Sequence, residues 1–308
     1  MRLRLGTRRS PLAMWQAEWA ASSLRAAHPG LEVEIVPVES HGDIDLSTPL
    51  SQLGTVGVFT QTLERELERN TIDVAIHSLK DVPAQLASGL TLAAFSPRED
   101  PRDAWFHRED VPLEEAPEGT RVATGSLRRR CQLLSRWPHL TVVELRGNLQ
   151  TRWRRFEQGS FDAMVLAAAG VKRLDWADRV TEFVDPEILM PAVGQGIIGL
   201  EVRAGDPAEA LVAAIDNANA HVRATAERSL LAEVAGGCIV PLAGFCVIEE
   251  DQLILRARLG TPDGQTLLQA QGRAPRADAL ALGRRVGQDL HQQGGRDIVR
   301  RAKEMRPS

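Results

Sequence analysis

Residues 121–170 read RVATGSLRRRCQLLSRWPHLTVVELRGNLQTRWRRFEQGSFDAMVLAAAG, and two periodicities alternate along them. The short apolar runs in RVATGS, TVVELRG and DAMVLAAAG read as strands. Between them LRRRCQLLSRW, with Ser126 as its cap, and LQTRWRRFEQG read as helices. Strand, helix, strand, helix, strand on short connections is the pattern of a mostly parallel sheet under helices.

The same pattern stands upstream. LRLGT (3–7) is a strand; Ser10 caps a helix with Pro11 at its first position, and LAMWQAEWAASSLRAAH continues it until HPG. LEVEIVPVE (31–39) is a strand, FTQTLERELERN (59–70) an amphipathic helix and IDVAIHS (72–78) a strand. Between the two α/β units lies SPREDPRDAWFHREDVPLEEAPEG (96–119), whose proline and charge content predicts a hinge. Downstream, IIGLEVR (197–203) is a further strand, and Pro207 to Ala235 is helical with an interruption near DNAN. AGFCVIE, QLILRARLG and QTLLQAQGR then stand at hairpin spacing, with EED and TPDG as turns, and two helices finish the chain. The last third is therefore an α+β domain.

The bulk numbers fit this partition. The 308 residues exceed what one hydrophobic core organises, and 43% hydrophobic with 25% charged residues is ordinary for a globular chain. A net charge of -4 weighs against wholesale nucleic-acid binding. No apolar run is long enough to cross a bilayer, and MRLRLGT enters a strand pattern without a signal-peptide core, so no membrane role and a cytoplasmic location are expected. The three cysteines, 131, 238 and 246, have no zinc-site spacing, and their odd number speaks against a disulfide scaffold. Of the 37 basic residues only Lys80, Lys172 and Lys303 are lysines, so arginine is the default cation and each lysine is the informative exception.

In open α/β sheets ligands gather beyond the carboxyl ends of the strands. Four loops there carry chemistry: GTRRSP, HSLKDVP, GSLRRR and RGN. Ser10 and Ser126 open helices with arginines close by, an arrangement suited to carboxylates or phosphates. From 121 to 155 nine arginines stand against one acid, Glu144. Arg136, Arg154 and Arg155 read as solvated helix faces, whereas Arg128, Arg129 and Arg146, beside strand ends, read as ligands for a polyanion. HSLKDVP sets His77, Ser78, Lys80 and Asp81 within five residues. An Asx-type turn is the bland reading, and the rare Lys80 tips it toward a general acid/base held near a cation. In AGGCIVPLAGFC (235–246), Gly236 and Gly237 present Cys238, while Cys246 and Cys131 read as core. His41, His107 and His221 lack metal-ligand spacing, so no metal is expected.

Taken together, GTRRSPLAMWQA, IDVAIHSLKDVP, REDPRDA, TGSLRRRCQL, LRGNLQTR, MPAVGQGIIGLE and ERSLLAEVAGGCIVP resemble the porphobilinogen deaminase (hydroxymethylbilane synthase) family of tetrapyrrole and heme biosynthesis, in order and over nearly the whole chain. The resemblance implies two similar α/β domains of the type II periplasmic-binding-protein-like kind with a central cleft. A C-terminal α+β domain with a three-stranded antiparallel sheet follows. The implied partition is 1–96 with 197–214 returning to it, 97–196, and 215–308 carrying the cofactor cysteine. It implies a transferase that joins four porphobilinogen molecules head to tail, releases ammonia each time, and frees linear hydroxymethylbilane from a covalently bound dipyrromethane primer. The expected partners are porphobilinogen and the growing oligopyrrole, and the expected state is a monomer.

Carried over by position, Cys238 is the thioether attachment and Asp81 the catalytic aspartate. Asp81 accepts pyrrole N–H bonds and steadies the cation formed as ammonia leaves. Lys80, Ser126, Arg128, Arg129 and Arg146 bind the cofactor together with Asp81, and Arg8, Ser10, Arg146, Arg152 and Arg173 bind substrate carboxylates. Three departures fall on the family's flap: Val56 in GTVGVF and Gln61 stand where lysines are usual, and His41 where arginine is common, so altered flap behaviour is expected. The rival reading is a non-catalytic two-domain carboxylate receptor or sensor, which does not require the AGGC turn.

Overall fold

The computed structural model describes residues 2–39, 60–235 and 240–304. His41, Val56 and Cys238 lie outside them. The chain divides into two compact units, 1–99 with 196–222, and 100–195 with 223–308.

In the first unit, β1 (Arg2–Arg8), β2 (Glu32–Val38) and β3 (Val74–Ser78) are parallel, and β10 (Ile198–Arg203) runs antiparallel between β3 and β4 (Leu90–Phe95). The resulting order is β2-β1-β3-β10-β4. Helix α1 (Pro11–Ala27) forms where expected, with Ser10 Oγ accepting from the Ala13 amide at 3.3 Å and Pro11 in its first turn. Its Ala17, Ala20, Ala21 and Leu24 are buried against Leu3, Leu5, Val74, Ile76 and Leu200, a small-residue helix face that lets the helix lie close to the sheet. Each leucine so buried contributes about 1.5–3 kcal/mol over its exposed state. Helix α2 (Gln61–Glu68) closes the other side through Leu63 and Leu67, which pack with Ile72 and Ala75. Gly196 joins the unit at φ +90°, and a Cβ there would stand 2.4 Å from the Glu99 carbonyl oxygen, so only glycine fits.

The second unit contains two sheets. In one, β6 (Arg121–Ala123) is parallel to β7 (Thr141–Val143) and β8 (Ala163–Ala167), while β5 (Asp103–His107) is antiparallel to β8 and β9 (Glu182–Val184), giving β7-β6-β8-β5-β9. Helices α3 (Leu127–Arg136) and α4 (Leu149–Glu157) cross between its parallel strands. Trp105, Val122, Leu133, Trp137 and Val165 fill one face, and Phe106, Leu145, Phe161 and Met164 the other. The second sheet is the antiparallel β11 (Leu242–Glu249), β12 (Gln252–Gly260) and β13 (Leu267–Pro275). Helix α8 (Ala279–Leu290) lays Leu282 and Val286 over Gly272 of β13. Its Gly283 meets α7 (Ala218–Ala235) where a Cβ would stand 2.3 Å from the Ala226 carbonyl oxygen. Helix α6 (Pro207–Ala213) belongs to the first unit, where Ala208 and Val212 join its core, and α9 (Arg296–Glu304) to the second.

Two stretches hold more than their sequence shows. The stretch 96–119, which reads as a hinge, contains the 99/100 boundary between the units, and it also holds β5, every residue of which is buried between β8 and β9. Flanking prolines and charges mask a five-residue strand whose apolar centre is only Ala104, Trp105 and Phe106. DAMVLAAAG is likewise not one strand: after β8 the alanines turn into α5 (Ala168–Arg173), which alanine favours once the chain leaves the ladder.

Candidate active site

The parallel strands bring the marked loops to one edge in each unit. In the first, β1 and β3 pair Leu5 with Val74 and Gly6 with Ala75, so Arg8 and Ser10 leave the sheet at the edge where Ser78 leaves it. A 3₁₀ turn, Leu79–Asp81, follows. Leu79 donates from its amide to the Ile197 carbonyl at 3.0 Å and the Val82 amide closes on the Leu79 carbonyl at 3.1 Å. Gln16 Nε2 of α1 donates to Ser78 Oγ at 2.8 Å, tying the turn to the helix that Ser10 caps. The Leu79 side chain is buried, and that anchor leaves Lys80 and Asp81 exposed. An aspartate held by its backbone with its carboxylate in solvent can bind a donor or exchange a proton without reorganising the sheet.

Under this edge lies a buried polar group that local reading of the sequence misses. His77 Nε2 stands 2.9 Å from Glu201 Oε2 of β10, and the other carboxylate oxygen, Glu201 Oε1, is buried with no partner. Burial pushes the Glu64 carboxyl of α2 up, and the nearby Glu201 pushes it further. His77 and Glu201 are 124 positions apart, so no motif spacing joins them.

In the second unit β6, β7 and β8 are parallel, and the loops carrying Ser126, Arg146 and α5 emerge at their shared carboxyl edge. Ser126 caps α3, accepting from the Arg129 amide at 3.4 Å, and Asn148 caps α4, accepting from the Thr151 amide at 2.9 Å. Arg146 Nε donates to Glu144 at 3.3 Å, and Arg152 Nε to the Gly147 carbonyl at 2.8 Å, which fastens the RGN loop to the helix it opens. Arg173 of α5 is buried.

Arg128 and Arg129, which the sequence marks as ligands for a polyanion, are both only 5% exposed and share one carboxylate. Asp103 of β5 accepts from Arg128 Nη2 and Arg129 Nη2, each at 2.8 Å, one on either oxygen. Arg128 Nη1 donates to the Met190 carbonyl at 2.6 Å and Arg129 Nη1 to the Val165 carbonyl at 2.9 Å. Gln195 Nε2 adds a third donor to Asp103 at 2.9 Å. Burial alone would push the Asp103 carboxyl up, but the two guanidinium groups overcome it and hold it well below the usual carboxylate range. The trio keeps one net positive charge, and the Nε atoms of both arginines have no partner in the protein. Asp103 belongs to REDPRDA, so its segment is marked in the sequence although its role is not. Asp100 of the same segment is also held low, by Arg102 and Lys172 against the effect of burial.

The remaining readings resolve simply. Burial pushes the Cys131 thiol up to about 12, and Cys246 is buried in β11, so neither is a nucleophile. Arg136, Arg154 and Arg155 are exposed on their helices. Among the described residues no group of three or more His, Cys, Asp or Glu is placed to hold a metal, and no helix is long and apolar enough to cross a membrane.

Two five-stranded sheets, each with one antiparallel strand entering from beyond a crossover and with cationic or capped loops at the carboxyl edge, define a protein of the type II periplasmic-binding-protein-like class, extended by a three-stranded sheet. Two solved structures are similar to the chain at low identity. The periplasmic VFT2 domain of Bordetella pertussis BvgS is 18% identical over 70% of this chain and 85% of its own, with a TM-score of 0.41. The methionine binding protein MetQ is 15% identical over 75% and 94%, with a TM-score of 0.43. Family models decide the matter: "porphobilinogen deaminase, dipyromethane cofactor binding domain" matches residues 3–210, and "porphobilinogen deaminase, C-terminal domain" matches residues 221–292. The chain belongs to the porphobilinogen deaminase family. Its function is the condensation of porphobilinogen into hydroxymethylbilane, and its cofactor is dipyrromethane.

The residues at the second edge fit such a group. A dipyrromethane bears acetate and propionate carboxylates, and this edge offers the Ser126 cap, Arg146 and a buried guanidinium pair with one unbalanced charge and two unpartnered Nε atoms.

Proposed function

We propose that the chain is a hydroxymethylbilane synthase that works as a cytoplasmic monomer, with Asp81 as its catalytic residue and Cys238 as the thioether anchor. The observation that carries the reading is the Leu79–Asp81 turn, which presents one exposed carboxylate beside one of only three lysines at the carboxyl edge of the parallel strands. When bound, the dipyrromethane supplies the nucleophilic pyrrole carbon from which the chain grows.

The residues of this chain do the rest. Lys80, Ser126, Arg128, Arg129 and Arg146 bind its carboxylates, and Arg8, Ser10, Arg146, Arg152 and Arg173 bind those of the incoming porphobilinogen. The Asp81 carboxylate accepts the pyrrole N–H, which orients the ring. It then opposes the positive charge that builds on the ring as the C–N bond to ammonia breaks, and takes up the proton lost from the α-carbon after coupling. Guanidinium forks suit this task because each binds a carboxylate in two places and never loses its charge.

Intact mass and turnover test the reading together. Freshly purified protein is expected to be heavier than its sequence by two linked pyrroles, an increment lost in Cys238→Ser. Asp81→Ala should keep that mass and lose about 10²–10⁴ in kcat, the usual worth of a positioned acid/base. Parental turnover in Asp81→Ala, or a bare thiol in active protein, overturns it.

A further inference from the structure

The three-stranded sheet carries a second cationic feature. On β12 and β13 the register pairs Arg256 with Gln271 and Arg258 with Gln269, so two guanidinium and two amide side chains stand as adjacent cross-strand pairs on one face. The alternate residues of β12, Leu253, Leu255 and Leu259, are buried on the other face. Over the polar face opens a recess of about 520 Å³ that Glu187 and Met190 help to line.

Its charges do not balance. Glu187 pairs with Arg256. Arg258 is held only by neutral acceptors: Nη1 donates to Gln132 Oε1 and to the Ile188 carbonyl, both at 3.1 Å, and Nη2 to the Glu187 carbonyl at 2.7 Å. Its Nε is buried without a partner, and among the described residues no carboxylate lies within ion-pair distance of it. Two guanidinium groups thus stand beside one carboxylate, which pairs with Arg256. Burial lowers the Arg258 pKa, which marks the cost of keeping that cation among dipoles alone. An arginine does not escape this cost by deprotonating near neutral pH, so an anion is what relieves it.

We propose that this recess is a binding site for a small oxyanion, a carboxylate or a phosphate, held by Arg256 and Arg258 with the side-chain amides of Gln269 and Gln271. None of the residues that line it is among those assigned to substrate or cofactor. Within the second unit it touches Arg128 in two ways: Gln132 accepts from Arg258 on its oxygen while its Nε2 donates to the carbonyls of Arg128 and Met190 at 3.2 and 3.1 Å, and the carbonyl of Met190, which lines the recess, accepts from Arg128 Nη1.

Calorimetric titration of the cofactor-loaded protein with inorganic phosphate and, separately, with succinate, at constant ionic strength, tests this. Saturable binding is expected, weakened at least tenfold in Arg258→Gln and at least threefold in the double variant Gln269→Leu/Gln271→Leu. Saturation by phosphate alone assigns the site to phosphate, by succinate alone to carboxylates, and by both to oxyanions at large. Each supports the proposal if the variants weaken it. Should Arg258→Gln fail to fold, the double variant decides, since Gln269 and Gln271 are exposed. No saturable binding of either probe, or isotherms unchanged in the double variant, overturns it, and Arg258 is then only a tie between the sheet and the 187–188 backbone.

Discussion

Beneath the carboxyl edge of each five-stranded sheet lie two groups of one kind and one partner of the other, acids around a base in one and bases around an acid in the other. In the first unit two carboxyls, Glu64 and Glu201, are buried near one imidazole, His77. In the second, two guanidinium groups, Arg128 and Arg129, are buried on one carboxylate, Asp103. The difference is one of chemistry more than of sign. Burial and the neighbouring Glu201 move the proton equilibrium of the Glu64 carboxyl, whereas guanidinium groups keep their charge and must be held by geometry. The first edge is therefore tunable by pH, and the second is fixed. That division agrees with the roles proposed above for the two edges.

The strongest way to break the comparison is to remove the central partner of the fixed set. Asp103→Ala leaves two buried cations without a counter-charge, which should cost about 3–5 kcal/mol in a denaturant titration. A loss under 1 kcal/mol would mean that the guanidinium groups escape to solvent and that the set is not fixed at all. Asp103→Asn sharpens the point through pH. The folded-state pKa of Asp103 lies below its unfolded value, so its contribution is complete above about pH 4 and is lost as pH falls toward the folded value. The parent should shed stability through that window by at most about 1.4 kcal/mol per pH unit more than Asp103→Asn does. Parallel acid limbs would remove Asp103 as the titrating group.

The tunable set predicts the opposite slope. Glu64 has a raised folded-state pKa, so its carboxyl favours the fold when protonated and this contribution is lost as pH rises through the folded value. Glu64→Gln removes that penalty. It should raise stability at pH 7 by on the order of 1 kcal/mol, the gain shrinking below the ordinary glutamate range. Equal stability of parent and variant at both ends of the pH range would show that Glu64 reaches water.

What could be read from the sequence follows from range. Ser10 and Ser126 were legible as caps because a cap bonds an amide three residues away. The edge loops were legible because strand, turn and helix signals are local, and IIGLEVR reads as a strand from its apolar run. Strand β5 was not, since its five residues sit among prolines and acids, and burial by β8 and β9 overrides that context. The largest gap concerns arginine. RRR at 128–130 gives no sign that the first two side chains turn inward to a carboxylate some 25 residues earlier, while Arg130 reaches the Val142 and Pro262 carbonyls. Pairing across such separations is a property of the sheet, and no spacing rule contains it.

Arg136 sets the scale for the rest of the comparison, because it occupies the same helix as Arg128 and also pairs with one carboxylate, but at the surface. Its guanidinium pairs with Glu114 at 2.6 Å and lies 5.2 Å from the Trp137 ring centroid, yet half of the side chain remains in water. Solvent screens the pair, and two long side chains must be ordered to make it. Arg136→Ala should therefore cost no more than about 1 kcal/mol, with the cost falling as salt is raised, since exposed charges are screened over a Debye length of about 8 Å at 0.15 M salt. A loss approaching that of Asp103→Ala would place the energetic weight of this helix on its solvent face and undo the distinction between fixed interior charge and dispensable surface charge.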